Sequence, residues 1–112
     1  NQGSMVLVVG DSPDYRITIS ELLYIRRFRV VTAADGKSAM NILAQYPGIK
    51  LVITDFSLSG MDGCSFCQKV REKYKQDRLA IIGFSSTNER NVGARFIKSG
   101  ANDFLIQRSF LV

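Results

Sequence analysis

The sequence has 112 residues, 46% hydrophobic and 22% charged, which is apolar material enough for one domain and too short a chain for two. No stretch approaches the roughly 18 uninterrupted apolar residues of a membrane span, and no basic-then-apolar leader ends in a small-residue cleavage site, so a soluble cytoplasmic chain is expected. Fifteen Lys and Arg against ten Asp and Glu give a net charge of +5, but these residues are scattered, and charge alone does not argue for nucleic acid.

Residues 1–4, Asn1-Gln2-Gly3-Ser4 ahead of Met5, read as a remnant of cloning, leaving 5–112 as the domain. Met5 to Val9 is a short apolar run expected to be a strand. Ser12-Pro13 offers an N-cap followed by proline at the first helical position, and Tyr15, Ile19, Leu22, Leu23 and Arg26 follow at helical spacing, predicting a helix to about Arg27. Arg26, Arg27 and Arg29 are the densest basic group and are expected at that helix's C-terminus, where cations complement the dipole. Phe28 to Ala33 reads as a strand, Gly36 to Gln45 as a helix stopped by Pro47-Gly48, and Leu51 to Thr54 as a buried strand. A polar loop from Asp55 to Gly63 precedes a helix ending near Tyr74. Cys64 and Cys67 share the C-x-x-C spacing of a redox pair or half a zinc site, but they fall in that helix's apolar pattern with Phe66, Val70 and Tyr74, and there is no histidine, so a structural role is expected. Leu79 to Phe84 is a fourth strand, Asn88 to Lys98 a fourth helix stopped by Gly100, and Asn102 to Ile106 a fifth strand.

Short apolar strands alternating with helices predict a doubly wound parallel sheet covered on both faces, with its functional crevice beyond the carboxyl ends of the strands. Gly10-Asp11-Ser12, Asp55-Phe56-Ser57, Ser85-Ser86 and Gln107 all fall on that rim. Taken singly, Asp11 reads as a turn or capping carboxylate and Asp55 as a solvated loop acid. Together at neighbouring strand ends they form an oxygen-rich pocket suited to a hard divalent cation, magnesium above all, because such sites keep several waters. That chemistry points to phosphoryl groups.

Four ordered blocks carry a resemblance: Val6-Leu7-Val8-Val9-Gly10-Asp11-Ser12, Leu51-Val52-Ile53-Thr54-Asp55, Gly60-Met61-Asp62-Gly63, and Lys98-Ser99-Gly100-Ala101-Asn102-Asp103-Phe104-Leu105. The sequence resembles the CheY-like receiver domains of response regulators from Met5 to Phe110. The resemblance implies a flavodoxin-like, five-stranded parallel sheet in the order 2-1-3-4-5, an order that general fold rules illustrate with a member of this family. It also implies that Asp55 accepts a phosphoryl group from a histidine kinase or phosphotransfer protein. Asp11, Asp55 and the Ser57 backbone carbonyl would be the magnesium ligands, and Ser85 and Phe104 would switch the surface around helix four and strand five. Asp62 would be structural. Such a domain works on an attached or separate output domain, is open to homodimerisation, and is expected to turn over no substrate of its own.

Several positions depart from that pattern. Gly10 stands where the family has a second acidic residue, so magnesium binding is expected to be weak. Gln107-Arg108 replaces a lysine and a proline; a neutral donor forms a weaker bond to a phosphoryl oxygen than a charged one. Ser59 replaces proline in a turn. The fifth helix that the resemblance implies would begin about where the chain stops at Val112; truncation, disorder and absence are all open for it, and without it the sheet near strands one and five would be partly uncovered. Gly10 and Gln107 support a second reading, a phosphorylation-independent pseudo-receiver that acts as a protein-interaction module. A flavin protein or small enzyme on the same scaffold is disfavoured, because Gly10-Asp11-Ser12-Pro13 puts an acid where a phosphate-binding loop would avoid one.

Overall fold

Five runs rich in Val, Ile and Leu form the sheet, each short enough to be crossed by one helical layer on either face. β1 (Met5–Val9), β2 (Arg29–Ala33), β3 (Leu51–Asp55), β4 (Ala80–Ser85) and β5 (Asp103–Ile106) are all parallel and lie in the order β2-β1-β3-β4-β5, as the resemblance implies. The structure is a computed structural model that describes residues 4–86 and 89–107. Expectations for residues 1–3, for Asn88, for Arg108 and for a fifth helix therefore fall outside the described residues.

Between the strands run α1 (Pro13–Ile25), α2 (Gly36–Gln45), α3 (Gly63–Arg71) and α4 (Val92–Lys98), the last preceded by a 3-10 turn over Glu89–Asn91. Side chains fix where the helices start: Ser12 Oγ accepts from the Tyr15 N–H at 3.3 Å, Asp35 from Ser38 at 2.7 Å and Asp62 from Ser65 at 2.8 Å. The α2 bounds agree with the sequence reading. The fourth helix starts later than expected because Arg90 and Asn91 sit in the left-handed region at φ 58° and 54°, which no α-helix accommodates. The third ends before Tyr74, its last turn loosened into bonds from Lys73 and Tyr74 that share the Val70 carbonyl.

The core lies between sheet and helices. Leu7, Val9, Val52 and Ile81 of the central strands form one cluster with Leu43, Phe66, Val70 and Phe96 from the helices, while Val6 and Val8, which alternate with them along β1, are buried outside it. Cys64 and Cys67 are free and buried within the cluster, and burial pushes the Cys67 thiol up to about 11, which keeps it protonated near neutrality. By contrast α1 has no fully buried residue. Ile17, Leu22, Tyr24 and Ile25 are exposed on it, as is Leu105 of β5, so the face between α1 and β5 is open among the described residues. Its basic group surrounds the helix end rather than lining the last turn: Arg26 is the C-cap, Arg27 is left-handed at φ 68°, and Arg29 opens β2. Among the described residues no helix is long and apolar enough to cross a membrane.

Candidate functional site

The parallel register brings the strand ends level, pairing Val9 with Thr54, Asp55 with Phe84 and Ser85 with Ile106. Beyond them opens a cleft of about 900 Å³ whose walls include Ser12, Asp55, Ser57, Ser85, Arg90, Arg95 and Gln107. Backbone bonds tie its loops together. The Asp11 N–H donates to the Ser57 carbonyl at 3.3 Å, Phe56 to Phe84 at 2.8 Å, and Gln107 to Ser85 at 2.8 Å. Gly63 lets α3 start directly against the end of β3: its N–H donates to the Phe56 carbonyl at 2.7 Å, and a Cβ there would collide with the Asp55 carbonyl.

Asp55 is half-buried and lines the cleft, and the exposed Asp11 lies close enough for its charge to act on it. Burial raises the Asp55 carboxyl above its ordinary value, the backbone N–H groups of Phe56 and Ser57 pull it back, and the Asp11 charge pushes it up again. Among the described residues no three His, Cys, Asp or Glu side chains gather in one place. The available oxygens are two carboxylates plus the Ser57 carbonyl, a set that fits magnesium completed by waters and phosphoryl oxygens and fits no tighter, all-protein cage. Ser85 is 3% exposed at the end of β4, and Phe104 is half-buried with its ring laid over Gly93 of α4, where a Cβ would overlap it. Asp62 caps α3 and pairs with Arg95 at 3.6 Å, which accords with a structural role.

Three side chains at the site escaped the sequence reading. The Tyr15 ring fills the space over Gly10: a Cβ there would lie within 2.6 Å of its Cε2 and 3.3 Å from Asp55 Cβ. Tyr15 also tilts against Phe84 at 5.1 Å and donates to the Ile53 carbonyl at 3.4 Å, and burial followed by the Asp55 charge raises its phenol far above the ordinary value. Arg16 donates to the Gly10 carbonyl at 2.6 Å, and the Arg95 guanidinium lies 5.1 Å from the Phe56 ring centre. A glycine at a strand end with a tyrosine five residues on was the only signal available for the first. The Arg95 contacts have none, because they cross from α4 to the β3–α3 loop.

A parallel sheet in this order, with paired carboxylates at its carboxyl rim, defines a flavodoxin-like, CheY-like domain. The sequence profile of the response regulator receiver domain matches residues 6–109, and the chain belongs to that family, the receiver domains of two-component response regulators. Two-component response regulator ORR11 of Oryza sativa subsp. indica is 34% identical over 102 residues, covering 91% of this chain and 69% of that protein. The crystal structure of a two-component system response regulator/GGDEF domain protein superposes with a TM-score of 0.91 at 40% identity, over 96% of this chain and 44% of that one. This chain thus spans less than half of that structure. Chemotaxis response regulator CheY4 of Vibrio cholerae matches with a TM-score of 0.82 and 26% identity, over 95% of this chain and 88% of that one.

Proposed function

We propose that Asp55 is the phosphoacceptor, taking a phosphoryl group from a histidine kinase or phosphotransfer protein in the cytoplasm. The observation that supports this most is the placement of a half-buried Asp55 in the lining of the cleft, within reach of the Asp11 charge and with the buried Ser85. An Asp55 oxygen forms the O–P bond in line as the P–N bond of the phosphohistidine breaks, and the imidazole keeps the electron pair. Asp11, Asp55 and the Ser57 carbonyl would hold magnesium, which supplies charge neutralisation to the phosphoryl oxygens. With Gly10 in place of a third carboxylate, this hold is weak.

The Ser85 hydroxyl then donates to a phosphoryl oxygen, and the Phe104 ring repacks against α4, changing the surface of α4 and β5 that an output domain reads. The domain acts once per phosphorylation event rather than as a turnover enzyme. The GGDEF domain of the structural neighbour supports an attached output domain. Titration with beryllofluoride, a tetrahedral mimic of the acyl phosphate, tests the reading by NMR or Tyr fluorescence. Saturable magnesium-dependent shifts that vanish in Asp55→Ala are expected. No binding at millimolar magnesium would overturn it and leave an interaction module.

A further inference from the structure

A phosphoryl group on Asp55 brings a charge of roughly −1.5 to −2 and three acceptor oxygens into a half-buried cleft. Gln107 offers it no positive charge. Among the described residues the cationic walls of the cleft are Arg90 and Arg95, and Arg95 is the one whose position is defined by contacts. It projects from α4 over the ring of Phe56, the residue that follows Asp55, with its guanidinium carbon 5.1 Å from the ring centre. Its only ion pair among the described residues is with Asp62, at 3.6 Å, with the two side chains 41% and 34% exposed. A pair so long and so open to water is weak. A phosphoryl group offers a planar guanidinium two parallel charge-assisted bonds and is the stronger partner.

We propose that Arg95 exchanges Asp62 for the phosphoryl group, so that α4 supplies the cation that β5 lacks at Gln107. The inference rests on Asp55 being the phosphoacceptor. Its consequence is mechanical as well as electrostatic. Arg95 lies two residues from Gly93, on which the Phe104 ring rests, so drawing the guanidinium toward Asp55 pulls directly on the helix that packs against Phe104. Asp62 meanwhile keeps its bond from the Ser65 N–H and goes on capping α3.

A double-mutant cycle on beryllofluoride affinity in magnesium tests this. Arg95→Gln, which keeps the stem over Phe56, should weaken binding about tenfold, and Arg95→Lys should recover part of that loss. Asp62→Asn preserves the cap, since Asn caps as well as Asp, and by releasing Arg95 should tighten binding about threefold. That gain should vanish in the Arg95→Gln background. Equal affinities of the wild-type domain and Arg95→Gln would overturn the exchange while leaving Asp55 as phosphoacceptor. An Asp62→Asn gain of the same size in both backgrounds would reduce it to a general charge effect and overturn it too. If the wild-type domain binds no beryllofluoride, both readings fall together.

Discussion

α1 and α4 flank the same cleft and are anchored in opposite ways. α1 is the longer, with 13 residues against 7, yet none of its side chains is fully buried, whereas α4 buries Val92, Gly93 and Phe96. A seven-residue helix has no stability of its own, so α4 exists through its packing. Phe96 is fully buried over Gly83, whose missing side chain makes room for the ring, and meets Phe56 edge-on at 6.3 Å. α1 is held at its N-terminal end by the Ser12 cap, Pro13 and the Tyr15 ring wedged between Gly10 and Phe84. Helix length and anchoring are therefore independent here, and the anchoring is concentrated on the side of α4 and β5.

The sharpest way to break this contrast is to truncate one side chain on each helix and follow urea denaturation. Phe96→Ala should cost about 3–5 kcal/mol, while Leu22→Ala, at a position 50% exposed, should stay within about 0.5 kcal/mol. A comparable loss at Leu22 would mean that the outer face of α1 is covered in solution, by self-association or by a further segment. Next in size is Arg71, the guanidinium hub behind α4. Its Nε donates to the Gly100 carbonyl at 2.7 Å, Nη1 to Leu79 at 2.7 Å and Tyr74 at 3.0 Å, and Nη2 to Asn102 Oδ1 at 2.8 Å. Arg71→Met keeps the stem and strips the Leu79 and Tyr74 carbonyls of this donor, while the Gly100 carbonyl keeps Gln76 Nε2 at 3.0 Å and Asn102 Oδ1 keeps the Ile81 N–H at 2.8 Å, so a loss of about 2–4 kcal/mol is expected by the same measurement. A loss below 1 kcal/mol, which water replacing the guanidinium would produce, would show the hub to be dispensable.

The two helices close with the same bonding pattern on different residues. In α1 the Phe28 N–H bonds the Leu23 carbonyl and Arg27 bonds Tyr24; in α4 Ala101 bonds Phe96 and Gly100 bonds Ile97. Both are Schellman closures, which call for a left-handed residue. α4 supplies Gly100 at φ 112°, and α1 supplies Arg27 at φ 68°. Arg27→Gly should stabilise the domain by up to about 1 kcal/mol, by relieving the left-handed strain of a residue that carries a Cβ. Gly100→Ala should do the reverse and more, because the new Cβ would meet Arg71 Cγ at 2.6 Å. If both substitutions destabilise, Arg27 is making contacts that outweigh its strain.

The contrast also marks where sequence reading reached and where it stopped. The alternation of parallel strands with helices, the α2 bounds and the rim positions of Asp11, Asp55, Ser85 and Gln107 were legible because they depend on local patterning and on chain order, whereas the strand order followed only from the family resemblance. Helix ends at Ile25 and Arg71 were misjudged by two or three residues, since an apolar period continues past the point where capping bonds close the helix. The gap at Gly10 was visible as a lost carboxylate. That Tyr15 occupies it, and so stands against Asp55, depends on how α1 docks, which no pattern in α1 reveals. The Asp62–Arg95 pair is hidden for the same reason: two loop and helix residues 33 positions apart meet only once α3 and α4 have packed.

The smallest effect is expected at the junction of the two regions, Asp55 itself. Burial holds its carboxyl above the ordinary value of 3.8, with the Asp11 charge adding to the shift. The folded domain therefore keeps the Asp55 proton to higher pH than the unfolded chain does. Across that window the native state binds more protons, so stability falls as pH rises from the ordinary value through the raised one. The ionised group is thus a burden above the window and none below it. Asp55→Asn, which keeps the shape and removes the charge, should raise the melting temperature at pH 7 in magnesium-free buffer. The difference from wild type should shrink toward zero as the pH approaches 3.8 and below. Magnesium should narrow it from the other side, by stabilising only the domain that retains the carboxylate. A difference that ignored both pH and magnesium would place its origin in packing, and Asp55 would then belong energetically with the core around α4 rather than with the open cleft beside α1.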